Sequence, residues 1–213
     1  MKYLDKVKQA EDLIKYSIDL YGIEKTAVGF SGGKDSCVLL DLAIKANYKI
    51  RVFAVLADTE FKETYDLITR WVNRHSLDYK EYMFYQKDNK DPLLCCGQNK
   101  VDMTKEALKN VNAWFSGIRR DEGITRVNFE RMEVKDGLMK INPILDFTEL
   151  DIWRYIATNN LTVNPKYKEG YRSLGCAKCS FLEEDESETE RAGRWKGTDR
   201  AGKECGIHTR SLR

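Results

Sequence analysis

Thr26-Ala27-Val28-Gly29-Phe30, running into Ser31-Gly32-Gly33-Lys34-Asp35-Ser36 and then the apolar stretch Cys37 to Ala46, decides the fold. The first five residues carry no charge and read as a buried strand. The glycines make a tight loop, and the following run has helical periodicity. A strand, a tight loop and a helix N-terminus in that order suit an anion. Glycine lets the backbone approach a ligand, while unpaired N–H groups and the positive end of the helix dipole favour negative charge. The hydroxyls of Ser31 and Ser36 and the Lys34 ammonium complete a cradle for phosphate or sulfate oxygens. The stretch is not a Walker loop, which needs Gly-Lys-Ser/Thr after four intervening residues. A plain Ser-Gly-Gly turn with an ordinary helix cap is the alternative.

Outward from this unit, Leu4, Val7, Ala10, Ile14, Ile18 and Tyr21 recur with helical spacing, ending near Gly22. Arg51 to Ala57 reads as a second buried strand, Glu63 to His75 as a helix, and Tyr79 to Tyr85 as a third strand. A helix is expected between Asn99 and Asn110, before a strand from Ala113 to Ile118. Met132 to Ile141 alternates around Asp136-Gly137 and predicts a hairpin. Thr148-Glu149-Leu150-Asp151 begins a capped helix through Ile156. Alternation of this kind predicts an α/β fold: one doubly wound parallel sheet with helices on both faces. Residues 1–165 form the nucleotide-binding core, and 166–213 an irregular, cysteine-containing segment of the same domain.

Ligands of open α/β sheets bind beyond the carboxyl ends of the strands. Ser31 to Ser36, Asp58-Thr59-Glu60 and Gly117-Ile118-Arg119-Arg120 all follow expected strands, so three loops line one crevice. Asp58 or Thr59 would meet a ribose or adenine edge, or Asp58 is simply a helix cap.

The chain's 213 residues suffice for one well-buried domain. Its 36 basic and 34 acidic residues leave a formal net charge of only +2, so bulk charge gives no argument for nucleic acid or a membrane surface. No run of about 18 apolar residues exists, and the opening residues suit an amphipathic helix, so a cytoplasmic protein is expected. Glu183 to Glu190 is strongly acidic and reads as a solvated face without chemistry.

In a reducing compartment, six cysteines suit metal ligation and reactive thiols better than disulfides. Cys37 lies in the apolar helical run and reads as core. Cys95-Cys96 and Cys176-x-x-Cys179 form two pairs, with Cys205 apart inside Glu204-Cys205-Gly206-Ile207-His208. The pattern indicates one metal centre and one separate thiol. A Cys-x-x-Cys loop turns two thiolates to one centre, but adjacent cysteines diverge and sit awkwardly on a single ion. A cluster of several irons accepts such a pair more easily. Structural zinc, a redox dithiol at Cys176 and Cys179, and unrelated buried thiols stay open as alternatives.

Taken together, these residues resemble the sulfonucleotide reductases of sulfate assimilation, most closely the iron–sulfur adenylyl-sulfate reductases of the PP-loop superfamily. The resemblance runs from the phosphate loop through Asp58-Thr59-Glu60, Cys95-Cys96 with Lys100, Trp114 to Arg126, Ile141-Asn142-Pro143-Ile144, Gly170-Tyr171, Cys176 to Cys179, Glu190 to Trp195, and Glu204 to His208. It implies thiol-dependent reduction of adenylyl-sulfate to sulfite and AMP through a thiosulfonate on Cys205. It also implies a [4Fe–4S] cluster on Cys95, Cys96, Cys176 and Cys179, and a cation, Lys100, between cluster and substrate. Arg119, Arg126, Arg191, Arg194 and His208 are implied as further contacts to sulfate or phosphate, for which guanidinium forks are suited. Thioredoxin or a similar dithiol protein is the implied reductant, and homo-oligomers are common in the family. His75 matches nothing and reads as structural.

The loop Ser31 to Ser36 keeps the form found in ATP pyrophosphatases. The alternative expectation is therefore an ATP-dependent enzyme of sulfur transfer or thiolation, or a non-catalytic nucleotide-binding regulator.

Overall fold

The computed structural model of the chain describes residues 1–85, 95–182, 189–198, 201 and 203–212, with Cys95 and Cys96 described in their backbone only. The first helix, α1 (Tyr3–Tyr21), buries Ala10, Ile14, Ser17 and Ile18, the spacing of one helical face, and stops at Gly22 with φ +81°. Strand β1 (Thr26–Gly29) then leads through the loop into α2 (Lys34–Ala46). β2 (Arg51–Ala57), α3 (Lys62–His75) and β3 (Asp78–Phe84) follow. A π-helical turn, Cys95–Asn99, continues into α4 (Lys100–Leu108), and β4 (Ala113–Phe115) comes next. β5 (Met132–Lys135) and β6 (Leu138–Ile141) form the expected hairpin, turning through Asp136 and Gly137 with φ +53° and +75°. α5 (Glu149–Thr158) starts from the Thr148 cap, whose hydroxyl accepts from the Asp151 N–H while the Asp151 carboxylate accepts from the Thr148 N–H.

The six strands form one sheet in the order β3-β2-β1-β4-β6-β5, parallel throughout except for β5, which runs antiparallel to β6 at the edge. The antiparallel edge is a consequence of the hairpin, because a two-residue turn can only join antiparallel neighbours. The sheet grows from β1 in both directions, so the switch point lies between β1 and β4. There the loops after the two strands diverge and leave a cleft.

Both faces are covered. One core joins Ile14, Val38, Leu39, Val52, Ile68, Trp71, Phe115 and Ile152. The other joins Phe53, Val55, Val101, Leu108 and Trp114 of the sheet and α4 with Cys176, Trp195 and Leu212 of the C-terminal segment. The described residues of that segment add no strand to the sheet but cover one of its faces. Each buried large apolar side chain contributes about 1.5–3 kcal/mol. Cys37 is fully buried in the first core, where burial pushes its thiol pKa well up, in keeping with an inert role.

β4 is shorter than its sequence suggests. The Ser116 N–H still donates to the Ile141 carbonyl, but at Gly117 the chain passes so close to α2 that a Cβ would lie 3.3 Å from the Ser36 nitrogen. The strand therefore ends where its continuation becomes a wall of the cleft. No described helix is long and apolar enough to cross a membrane.

Candidate active site

The phosphate loop is shaped by its glycines. Gly32 has φ +74°, and a Cβ there would lie 3.0 Å from Thr64 Cγ2. Gly33 then caps α2 in an extended conformation, with its N–H donating to Ser31 Oγ at 3.4 Å and its carbonyl accepting from the Ser36 hydroxyl at 2.9 Å. The Lys34 N–H, one of the unpaired donors of the first turn, donates to the Tyr167 hydroxyl at 2.8 Å.

Lys34 and Arg119 do not line the cleft. The Lys34 ammonium donates to Glu190 Oε2 at 2.6 Å and to the Arg172 carbonyl at 2.7 Å. Arg119, fully buried, grips Glu190 through Nη2 at 2.7 Å and Asp35 Oδ1 through Nε at 2.6 Å. Two cations and two carboxylates thus close a network beneath the loop. Burial works against the Lys34 ammonium, but Asp35, Tyr167 and Glu190 more than offset it and hold its pKa above the ordinary lysine value. This corrects the reading of Glu183 to Glu190 as a solvated face: Glu190 is only 3% exposed, because the fold brings it onto two buried cations. Residues 183–188 lie outside the described residues.

A second network adjoins the first through Glu122, whose carboxylate accepts from the Arg119 N–H at 3.0 Å. Arg126 Nε and Nη2 donate to the two Glu204 oxygens at 2.9 and 3.1 Å, Arg126 Nη1 donates to Glu122, and the Thr125 hydroxyl donates to Glu204 at 2.8 Å. Arg191 Nε lies 3.7 Å from Glu204. Burial, and then the neighbouring Arg126, push the Arg191 pKa down to about 10. Arg194 lies over the Trp195 ring at 4.9 Å, its buried Nε has no hydrogen-bond partner, and its guanidinium lies against Gly175, where any Cβ would overlap it.

His208 lies parallel to Trp114, ring centroids 6.4 Å apart and planes 6° from parallel. Burial first, then Lys140, Arg126, Arg191 and Lys100, hold its pKa well below the usual histidine value, so the ring is neutral near pH 7. The buried Trp114 Nε1 and His208 Nδ1 have no hydrogen-bond partner.

Of the residues singled out in the sequence, Ser31, Gly33, Asp35, Ser36, Lys100, Arg126, Arg191, Arg194, Cys176, Cys205 and His208 line one cleft. Gly32, Lys34 and Arg119 sit behind it. Asp58 is exposed and, like Thr59, does not line it; the Thr59 carbonyl instead accepts from the Ala177 N–H at 2.8 Å, fixing the Cys176–Cys179 loop. In the loop between β2 and α3 the residue that reaches the cleft is Glu60, whose carboxyl burial pushes up to about 7 despite the nearby Lys100. Tyr167 lies in no stretch that carries the family resemblance, whereas Glu60, Glu122, Glu190 and Glu204 lie inside such stretches, which by themselves give these carboxylates no role.

Cys176 is buried and Cys179 half-buried, both packed in the second core with Trp195 and Cys205. Cys95 and Cys96 open the turn that leads into Lys100, and their side chains lie outside the described residues. Lys100 and Cys176 both act on the Glu60 carboxyl electrostatically and both line the cleft, so the turn and the Cys-x-x-Cys loop meet on one side of it. Two thiols in an x-x loop in apolar surroundings, on the side of the cleft reached by the turn that Cys95 and Cys96 open, suit a thiolate-ligated iron–sulfur group.

Residues 25–181 match the family model described as phosphoadenosine phosphosulfate reductase domain. The adenosine 5'-phosphosulfate reductase of Bacillus pumilus (strain SAFR-032) is 34% identical over 222 residues, spanning 96% of this chain and 92% of that protein. Adenosine 5'-phosphosulfate reductase 2 of Bacillus subtilis (strain 168) is 32% identical, spanning 96% and 91%. Among solved structures, the phosphate complex of a phosphoadenylyl-sulfate reductase from Candida auris superposes with TM-score 0.67 at 20% identity, covering 80% of this chain and 89% of that one. A Candida glabrata FMN adenylyltransferase superposes with TM-score 0.70 at 18% identity, covering 95% and 75%. At these identities the two structures share the fold.

Proposed function

The chain belongs to the phosphoadenosine phosphosulfate reductase domain family, and from that premise we propose that it reduces adenylyl-sulfate to sulfite and AMP. The observation that carries this reading is that one cleft gathers the phosphate loop, the cations Lys100, Arg191 and Arg194, and the thiol of Cys205. The nucleotide phosphate faces the N-terminus of α2, where Ser31, Gly33 and Ser36 form the wall. The sulfate end faces Lys100, Arg191 and Arg194, whose positive charge neutralises its oxygens. His208 stays neutral among these cations and offers a ring N–H as a donor.

The Cys205 thiolate attacks the sulfur, forming an S–S bond as the bond from sulfur to the phosphate oxygen breaks. AMP leaves with that electron pair, and Cys205 carries a thiosulfonate. A thiolate of a dithiol protein of the thioredoxin type then attacks Cys205 Sγ. Sulfite leaves, and the second thiol resolves the mixed disulfide, so the dithiol supplies both electrons and Cys205 returns as a thiol. Cys95, Cys96, Cys176 and Cys179 would hold a [4Fe–4S] cluster. When bound, that group would polarise the sulfate end and would add rigidity to the turn leading into Lys100 and to the Cys176–Cys179 loop. The burial of Lys34 against Glu190 disfavours the alternative of ATP pyrophosphatase chemistry, because that lysine is committed to a carboxylate.

The test is mass spectrometry of the anaerobic protein after incubation with adenylyl-sulfate and no reductant. A sulfite-mass adduct on Cys205, released by thioredoxin, is expected. Cys205→Ser should bind AMP, form no adduct and release no sulfite; normal turnover by that variant sinks the proposal.

A further inference from the structure

Glu204 is the residue next to Cys205, and it is held far more firmly than a tail position requires. Both its oxygens are engaged by the Arg126 fork, and the Thr125 hydroxyl adds a third donor. A two-point guanidinium grip fixes orientation as well as distance. The fork is itself held, because Arg126 Nη1 is bound by Glu122, and Glu122 Oε2 also accepts from the Arg119 N–H at 3.0 Å. A rigid path therefore runs from the loop after β4, through Glu122 and Arg126, to the residue before the thiol. Burial alone would raise the Glu204 pKa, but Arg191 and Arg126 more than offset it and hold the carboxyl down to about 2, so it is ionised throughout the working range.

We propose that Glu204 is a positioning residue for the Cys205 thiol: its carboxylate seats the C-terminal tail on Thr125 and Arg126 and so fixes where the sulfur stands at the cleft. The inference rests on the reading of Cys205 as nucleophile. It adds that Arg126, committed to Glu122 and Glu204, holds the tail and does not hold the substrate's sulfate. Oxyanion binding then falls to Lys100, Arg191 and Arg194. A nucleophile displaced by about 1 Å costs on the order of 100-fold in rate.

Glu204→Gln keeps the size and removes the charge. Thr125→Val removes one donor to Glu204 at a residue that does not line the cleft, and keeps the test open if the first variant folds poorly. Three quantities are read: AMP affinity, the rate of Cys205 alkylation by iodoacetamide located by mass spectrometry, and the split between kcat and KM for adenylyl-sulfate. With the tail unseated, alkylation of Cys205 should quicken at least about tenfold in Glu204→Gln and two- to fivefold in Thr125→Val. AMP affinity should stay within about twofold, and kcat should fall about 100-fold in Glu204→Gln with KM within about threefold. Unchanged alkylation in both variants, or kcat loss that merely follows lost AMP binding, overturns the proposal. If wild-type protein forms no adduct on Cys205, the mechanism above fails, and the alkylation rates still decide whether Glu204 seats the tail.

Discussion

The Lys34 ammonium lies 2.6 Å from the Glu190 carboxylate, joining the phosphate loop to the C-terminal segment across 156 residues of sequence in a buried ion pair. Glu190 also binds Arg119, so one carboxylate holds two cations from two cleft loops. Removing it leaves both buried charges without their main partner. Glu190→Ala should therefore destabilise the fold by about 3–5 kcal/mol. For a chain of this size that lowers the thermal midpoint by roughly 6–20 °C. Glu190→Ala combined with Lys34→Met should cost less than the sum of the single changes. Calorimetry of the three variants checks this, and additive costs would show that the pair is not coupled.

Gly175→Ala should separate stability from binding. The atoms its methyl group would meet belong to the far end of Arg194, which can swing away, so the fold should lose little. Arg194 would leave the cleft, and a charge-assisted contact of about 1.5–3 kcal/mol would be lost, raising KM for adenylyl-sulfate roughly 10- to 100-fold. Arg194→Ala should behave alike. A large drop in thermal midpoint with unchanged KM would show that Gly175 serves packing alone.

His208 predicts a pH dependence with a definite sign. Its pKa in the folded chain lies well below 6.5, the ordinary value of the unfolded chain. As pH falls below about 6.5, the unfolded state takes up a proton that the folded state refuses, so stability declines toward acid, by up to about 1.4 kcal/mol per pH unit. Denaturant titrations between pH 7.5 and about 5.5 should show a shallower decline in His208→Gln than in the wild type. Imidazole NMR signals of His208 that titrate near pH 6.5 in the folded protein would refute the assignment.

Anaerobically purified protein should be brown and contain iron and sulfide, and serine at any one of Cys95, Cys96, Cys176 or Cys179 should deplete iron and activity together. Zinc-containing, colourless and fully active protein would exclude the cluster.

Adenylyl-sulfate should be preferred over its 3'-phosphorylated relative in sulfite release with a thioredoxin-type donor. The curated relatives described above are named for the unphosphorylated compound, although the family model carries the other name. Equal or higher kcat/KM with the 3'-phosphorylated compound reverses this expectation.

The sequence alone determined what depends on local periodicity and on residue chemistry at fixed spacing. β2 runs over Arg51–Ala57 as read, the Asp136-Gly137 hairpin forms, Thr148 caps α5, and Gly32 of the loop takes the positive φ that favours glycine. These features are set by neighbours a few residues apart, so a linear reading reaches them. What only the tertiary structure decided is which charges are consumed by other charges. Lys34 and Arg119 look like phosphate ligands in sequence and are spent on Glu190 and Asp35, while Arg126 is spent on Glu122 and Glu204. Asp58 follows a strand end yet stays exposed, and Glu60, two residues on, reaches the cleft. The acidic run ending at Glu190 reads as solvated because composition describes a segment, whereas burial is decided residue by residue. An ion pair between residues 156 positions apart leaves no local pattern. Its partners meet only because the sheet brings its strand ends to one edge and the C-terminal segment folds back across them.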